Sequence, residues 1–338
     1  MAVYMSLPLL KEGCVYNSSE VVDNKLFVLG GCDSKGKALK SAQYVDLSNK
    51  QEFITIKDML RVKAGTSISH IDNKLITLGG IYDKQCQLSN VDVYDVGSDT
   101  WMELALMSNP AQGLIISVKD NSIYCAGGLS TGMNTLSNFE MLDMSVGRWQ
   151  KLPNMNTPHF NTTGFRYGNT LYVLGGRDGL KFTGFCECFD FRANSWRNLP
   201  KVPDEYRNIF NSTVHINNHI YLIGGLNEIP SQGFSNLVYR FDLEKEKWEK
   251  LPNILKPRAD FGAYAVDDKL LIAGGMGQLQ GLSATVEIFT IPSNKWSLVD
   301  DMPTVHASST KCVNDKSMYL VSGISNTGPS RNVTEIKF

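Results

Sequence analysis

The side chains that could do chemistry are spread thinly along this chain. The five histidines stand at positions 70, 159, 215, 219 and 306. His215 and His219 bracket one strand and its turn, but no carboxylate stands at a metal-binding spacing from them. We therefore predict no catalytic residues, no metal site and no cofactor. An enzyme with an unrecognised copper or iron site stays open as the alternative.

The cysteines and the charge balance indicate the compartment. Seven cysteines, at positions 14, 32, 86, 125, 186, 188 and 312, form no Cys-x-x-Cys pair, which is typical of free thiols in a reducing compartment. The net charge is −1, no apolar stretch is long enough to span a bilayer, and the N-terminus lacks the pattern of a signal peptide. We predict a cytoplasmic protein that binds neither membrane nor nucleic acid.

Glycine pairs recur along the whole chain every 48 to 50 residues, and the last pair is degraded to Ser-Gly. They are Gly30-Gly31, Gly79-Gly80, Gly127-Gly128, Gly175-Gly176, Gly224-Gly225, Gly274-Gly275 and Ser322-Gly323. A dinucleotide site would need G-x-G-x-x-G opening a helix, whereas here a polar loop and another strand pattern follow each pair. A period near 50 indicates one supersecondary unit copied around an axis. We predict one domain over residues 1–338.

Each unit reads as four strands. The run before each glycine pair, such as Leu171–Leu174, is short and continuously apolar, which is typical of a strand buried on both faces. A large aromatic residue follows the second glycine by 20 to 23 residues, namely Phe53, Trp101, Trp149, Trp196, Trp248 and Trp296. The pattern predicts one ring per unit packed between neighbouring sheets, with Phe53 in the irregular first unit contributing less than Trp149.

These motifs resemble the Kelch repeat, and the resemblance implies an all-β, seven-bladed β-propeller with four-stranded blades. The tryptophans never form a Trp-Asp pair, which disfavours the WD40 propeller. In stretches such as Thr170–Arg177 and Lys256–Phe261 the chain is similar to the stand-alone seven-repeat kelch domain-containing protein 8 group. No BTB or BACK segment precedes the repeats, so we do not expect a ubiquitin-ligase adaptor architecture.

The two ends of the chain complement each other. After Gly323 one more strand pattern follows, at residues 332–338, and the Trp strand of that unit is missing. The segment Tyr4-Met-Ser-Leu-Pro8 aligns with Trp149-Gln-Lys-Leu-Pro153. We therefore expect the N-terminal segment to supply the outer strand of the last blade and so to remove an unpaired edge.

Recognition is predicted on one face of the ring. Four-stranded blades put the short a–b and c–d turns on one face and the b–c and d–a loops on the other. The b–c loops are long, as in residues 32–41, and long loops on a rigid scaffold carry recognition. The long-loop face also carries an excess of lysine and arginine, and Arg61 and Arg258 stand at equivalent places that we expect near the channel mouth.

The function predicted from these loops is a non-enzymatic interaction scaffold that holds an acidic or phosphorylated segment of another protein. Arginine suits this role because its planar fork donates two hydrogen bonds to a carboxylate or phosphate. Actin binding stays open as another alternative. The candidate partner-binding residues share this face: Lys11, Arg61, Lys63, Tyr82, His159, Phe160, Arg177, Phe182, Tyr206, Arg207, Arg258, Asp260 and His306.

Overall fold

Seven four-stranded antiparallel sheets follow one another around a ring. The computed structural model describes residues 3–337 except 84–85, 163, 180, 207, 210–211, 278–280 and 315–316. Each sheet is one blade, numbered here along the chain, and its strands are lettered a to d from the ring axis outwards. The a strands of neighbouring blades contact each other around the axis. The predicted all-β, seven-bladed propeller is confirmed.

The strands have nearly uniform lengths. In blades 1 to 4, strands a to d are Ser18–Val22, Lys25–Leu29, Ala42–Asp46 and Ile54–Thr55; Ser67–Ile71, Lys74–Leu78, Val91–Asp95 and Thr100–Glu103; Ile115–Lys119, Ser122–Ala126, Phe139–Asp143 and Arg148–Lys151; Gly164–Tyr167, Thr170–Leu174, Cys186–Asp190 and Ser195–Leu199. In blades 5 to 7 they are Ser212–Ile216, His219–Ile223, Val238–Asp242 and Lys247–Leu251; Gly262–Val266, Lys269–Ala273, Val286–Thr290 and Lys295–Val299; Thr310–Asn314, Ser317–Val321, Val333–Lys337 and Val3–Ser6.

Short two-stranded hairpins and turns lie in the loops. The hairpin strands are Ile81–Asp83 with Cys86–Gln87, Arg177–Asp178 with Lys181–Phe182, Met276–Gly277 with Gly281–Leu282, and Ile324–Ser325 with Gly328–Pro329. Asn208–Ile209 pairs with Leu226–Asn227, which follows strands a and b of blade 5. Two 3-10 helices, Thr131–Met133 and Pro230–Gln232, complete the elements. Across the described part of the chain, no helix has the length and apolar character needed to cross a membrane.

The glycine pairs end strand b where the next blade approaches. Gly79 has a φ of +59°, and a Cβ on it would lie 2.1 Å from the carbonyl oxygen of Ala111 in the following loop. The N–H of Gly80 donates to that same carbonyl over 2.9 Å. A side chain at position 79 would therefore both collide and adopt an unfavourable backbone conformation. Ser322, at the degraded pair, adopts the same left-handed φ, and its hydroxyl donates to the carbonyl of Cys14.

The recurring aromatic rings join neighbouring blades, as predicted. The Nε1–H of each tryptophan donates to a backbone carbonyl of the preceding blade: Trp101 to Lys57 over 2.9 Å, Trp149 to Ala105 over 2.8 Å, Trp196 to Pro153 over 2.8 Å, Trp248 to Pro200 over 3.0 Å, and Trp296 to Pro252 over 2.9 Å. Phe53 is 1% exposed, whereas Trp149 is only partly buried. Burial thus favours the reverse of the expected order for these two residues.

The N-terminal strand closes the ring, which confirms the prediction. Val3–Ser6 pairs antiparallel with the third strand of blade 7, with Val3 opposite Lys337. The Tyr4 hydroxyl donates to the carbonyl of Asp300 in blade 6 over 2.6 Å. Tyr4 thus makes in blade 7 the contact that tryptophans make in other blades, as its alignment with Trp149 predicted.

Candidate functional site

One position of the d–a loop buries a polar side chain in several blades. Lys63, His159, Arg258 and His306 occupy it, and each is at most 2% exposed. The backbone carbonyl at this position accepts a hydrogen bond from the second glycine of the preceding blade, as in Gly31 N to Lys63 O over 2.9 Å. The backbone of this position therefore joins two blades, and its side chain turns into its own blade.

Arg258 is bonded throughout its guanidinium group. Its Nη2 donates to Glu287 over 2.6 Å, and its Nη1 donates to the carbonyls of Gly274 over 3.0 Å and Thr285 over 2.9 Å. Glu287 also accepts the N–H groups of Leu255 and Lys256, which lie in the same loop. The ion pair therefore holds this loop against strand c. The expectation that Arg258 projects at the channel mouth is wrong, because its side chain turns inward to reach Glu287.

Lys63 forms the matching pair in blade 2. Its Nζ lies 2.7 Å from Asp92, and both side chains are fully buried. Burial lowers the pKa of Lys63, and the carboxylate of Asp92 partly restores it. Arg61 is 28% exposed and bridges Asp92 over 3.5 Å and Glu103 over 2.9 Å. The charges of both basic residues are therefore compensated by acids of their own blade.

The two histidines at this position are also internal. His159 Nδ1 donates to the carbonyl of Gly175 over 2.8 Å, and its Nε2 lies 3.0 Å from Glu187. His306 Nε2 lies 2.8 Å from the hydroxyl of Thr334. Burial lowers the pKa of His306 to about 4, so this ring is neutral at neutral pH. Both side chains hold the loop to strand c and present no surface to a partner.

The remaining candidates lie at several places on the long-loop face. Tyr206 is buried, and its hydroxyl donates to the carbonyl of Gly224 over 3.0 Å. Lys11 is exposed, with Glu52 at 4.0 Å. Phe160 and Arg177 exchange backbone hydrogen bonds of 2.9 and 2.8 Å and are both partly buried. Arg207 lies outside the described residues.

A central cavity of about 570 Å³ opens where the innermost loops meet on this face. Its lining includes the large side chains of Tyr16, Phe234, Met276 and Ile324 together with several small polar residues. Among the described residues that line it, Asp260 is the charged one. Among the predicted partner-binding residues that the structure describes, Asp260 lines this cavity and the others do not. The candidates therefore do not converge on one point.

Asp260 occupies a left-handed backbone position with a φ of +58°. The equivalent positions of other blades, two residues after the buried polar position, are also left-handed: Tyr16, Gly65, Gly113, Asn161 and Ser308. The hydroxyl of Ser308 donates to Asp260 Oδ2. Burial raises the pKa of Asp260, and the hydrogen bond from Ser308 opposes that rise. The fold thus places a ring of short turns, one of them acidic, around the channel mouth.

A second cavity of about 280 Å³ shares Tyr16 with the first and is also lined by Cys32, Ile81 and Tyr82. Tyr16 is 58% exposed and Tyr82 is 50% exposed. Phe182 is partly buried beside a third, smaller cavity. Tyr82 and Phe182, both predicted candidates, therefore lie beside cavities that are separate from the one with Asp260.

The sequence reasoning missed most of the cavity lining. Leu226, Met276 and Ile324 each come directly after a glycine pair and line the central cavity. Their position, immediately after the turn that ends strand b, repeats in every unit. This regularity was available from the sequence and would have pointed to them.

The described side chains offer little catalytic chemistry. No group of three or more His, Cys, Asp or Glu residues that could hold a metal ion occurs among them. Burial raises the pKa of Cys186 to about 12 and that of Cys312 to about 12, so these thiols are protonated at neutral pH.

Two family models match this chain and agree with the propeller fold. The model of the KLHDC2/KLHL20/DRC7 Kelch-repeats domain matches residues 109–275, and the Kelch motif matches residues 13–59, 63–108 and 257–303. The chain is a Kelch-repeat β-propeller. The matched ranges of this Kelch propeller extend over six of the seven glycine pairs.

Relatives of this Kelch propeller include Kelch domain-containing protein 8B of Mus musculus, which is 29% identical over 163 residues covering 46% of this chain and 45% of the mouse protein. Kelch-like protein 41b of Danio rerio is 26% identical over 178 residues, covering 50% of this chain and 28% of that protein. The chain thus matches about half the length, or less, of these curated relatives.

A solved structure supports the same fold. The protein described as "Structure of YjhT" superposes with a TM-score of 0.66, covering 87% of this chain and 99% of that one, at 14% identity. At that identity the likeness concerns the fold alone.

Proposed function

We propose that this Kelch propeller is a non-enzymatic cytoplasmic scaffold that binds a segment of another protein on its b–c/d–a face. Kelch propellers generally bind protein partners, which supports the general role. The observation that carries the choice of face is the pair of adjoining cavities at the channel mouth, with Tyr16 and Tyr82 exposed between and beside them. Exposed aromatic side chains next to cavities are typical anchors of protein interfaces.

The backbone conformation of Tyr16 adds further support for this face. It holds a φ of +56°, a region that bulky residues adopt rarely and at a cost of about 1–3 kcal/mol. The equivalent position in blade 4 is Asn161, a residue type that tolerates this conformation well. The backbone therefore gives no reason for a tyrosine here, whereas contact with a partner does.

An acidic or phosphorylated partner segment, expected from the sequence, would contact cations other than Arg61 and Arg258. Arg258 is committed to Glu287, and Arg61 to Asp92 and Glu103. Lys35, Lys37 and Lys181 are exposed on the long loops and remain suited to the task. Contacts of this exposed kind weaken as salt is added, so this part of the proposal predicts salt-sensitive binding.

The test compares two exposed tyrosines on opposite faces. Tyr16→Asn keeps a residue that accepts the left-handed backbone, and Tyr167→Ala alters the a–b/c–d face, where Tyr167 is 42% exposed. Proteins captured by the immobilised wild type are identified by quantitative mass spectrometry, and one is purified for measurement of its Kd. We expect Tyr16→Asn to raise that Kd at least about tenfold and Tyr167→Ala to leave it unchanged.

Folding is checked by the melting temperature of each variant. Equal binding by all three proteins, or loss of binding in Tyr167→Ala alone, would place the interface elsewhere. Either result would overturn the proposal, because both variants retain every glycine pair and every inter-blade tryptophan contact.

A further inference from the structure

The carboxylate of Asp260 is compensated differently from the other buried or half-buried charges of the d–a loops. Among the described residues, Ser308 donates to it, and no cation lies within ion-pair distance. Lys63 and Arg258, each two residues before an equivalent turn, each pair with a buried acid. A half-buried carboxylate with a single neutral donor retains a strong preference for a cation or a further hydrogen-bond donor.

Several hydroxyl groups that line the cavity already donate to backbone carbonyls within or between the blades. The hydroxyl of Thr310 donates to the carbonyl of Asn17 over 2.8 Å, and that of Ser309 donates to the carbonyl of Ser322 over 2.7 Å. The hydroxyl of Ser67 donates to the carbonyl of Leu114 over 3.2 Å. These donors hold neighbouring strands together, so they do not turn towards Asp260. A bound ligand that enters the cavity can therefore supply a further donor to this carboxylate.

The surroundings of Asp260 suit a long, flexible cationic side chain. Phe234, Met276 and Ile324 line the same cavity and are partly exposed. Lysine and arginine bury an aliphatic stem against apolar groups while the charged end reaches a polar partner. The cavity of about 570 Å³ lies within the range of pockets that accept ligand groups.

We propose that the channel mouth receives a lysine or arginine side chain of the bound protein segment, with its cation on Asp260 and its stem against Phe234 and Met276. This inference rests on the proposed function and names the chemistry of the central contact. It concerns the cavity alone, so acidic residues of the same segment remain free to contact Lys35, Lys37 and Lys181 on the outer loops.

The probe is a library of random twelve-residue peptides displayed on phage and selected on the wild-type propeller. Selected peptides are synthesised with a fluorophore, and each Kd is measured by fluorescence polarisation. The test variant is Asp260→Asn, because asparagine keeps the shape, accepts the left-handed φ and can still accept the hydrogen bond of Ser308. The control is Asp178→Asn, which makes the same charge change at an exposed position of the same face.

We expect the peptides to share a lysine or arginine at one position. Replacing it with glutamine should weaken binding to the wild type at least about tenfold, and should have little further effect on binding to Asp260→Asn. Asp178→Asn should bind like the wild type. This thermodynamic cycle assigns the lost affinity to the pair and not to either residue alone.

Different results would overturn the inference alone and the inference together with the proposed function. Peptides that lose binding to Tyr16→Asn but bind Asp260→Asn as well as, or better than, the wild type would overturn the inference and leave the proposed face intact. Peptides indifferent to both Tyr16→Asn and Asp260→Asn, or a selection that yields no binder, would overturn both. A change in melting temperature of the Asp260→Asn protein is measured alongside, so that misfolding is not mistaken for lost contact.

Discussion

Arg258 and Asp260 stand two residues apart in one loop and show two different uses of charge. Arg258 is 2% exposed and donates to Glu287 and to two backbone carbonyls, so its charge holds the loop to strand c. Asp260 lies at the channel mouth, where Ser308 donates to it. In this loop the role of a charged side chain is therefore decided by the direction in which the turn orients it, and not by its residue type.

The largest effect is expected from breaking the interior pair. Arg258→Met leaves Glu287 without its cation and the carbonyl of Gly274 without its side-chain donor, so we expect the free energy of unfolding to fall by about 3–5 kcal/mol. Urea denaturation at pH 7 measures this. The double variant Arg258→Met/Glu287→Gln should recover part of the loss, because it removes the unpaired charge. A loss below about 1 kcal/mol for the single variant would mean that this pair does not support the fold.

His306 gives a smaller, pH-dependent effect at the same interior position. Its pKa is lowered to about 4 in the folded protein, whereas an unfolded histidine titrates near 6.5. The unfolded state therefore binds the proton first, and stability is lost as the pH falls from about 6.5 towards 4, by up to about 3 kcal/mol.

Replacing His306 isolates that contribution. The unfolding free energy of His306→Gln, measured by urea titration between pH 7 and 4, should fall less steeply than that of the wild type. Parallel curves for the two proteins would contradict the neutral, buried histidine. The difference between curves is used because carboxyl groups titrate in the lower part of the same range.

The smallest effect on stability is expected at the channel mouth. Asp260→Asn removes a charge that burial disfavours, as the raised pKa of Asp260 indicates, and retains an acceptor for Ser308. We expect the unfolding free energy at pH 7 to be unchanged or to rise by less than about 1 kcal/mol. A loss comparable to that of Arg258→Met would show that Asp260 serves the fold and would remove the contrast between the two residues.

Much of the fold followed from the repeats. The glycine pairs, the recurring tryptophans and the alignment of Tyr4 with Trp149 predicted seven blades and the closing strand because each has a local geometric cause that recurs in every unit. Phe53 was misjudged because the irregularity of its unit says nothing about burial, and the structure places it between blades 7 and 1 with Leu10 and Val321.

The candidate site was predicted from the sequence less well than the fold. Loop spacing placed Arg61 and Arg258 at equivalent positions, which is wrong, because Lys63 and not Arg61 occupies the position of Arg258. The spacing also could not tell that Arg258 turns inward. That direction depends on Glu287, an acid of a strand 29 residues later, and on the left-handed turn at Asp260. Long-range pairing of this kind is set by packing, whereas the apolar residues after most of the glycine pairs had a regularity that could have been used.

The most direct test of the account is the pKa of the Asp260 carboxyl group, measured by carbon-13 NMR on protein labelled in aspartate, with Asp260→Asn assigning the resonance. We expect a pKa above the ordinary aspartate value in the free propeller, and a lower pKa once a selected lysine-containing peptide is bound, because the cation favours the carboxylate. An ordinary pKa of Asp260 in the free protein, or no change in that pKa on adding the peptide, would contradict the proposal that the channel mouth binds a cationic side chain.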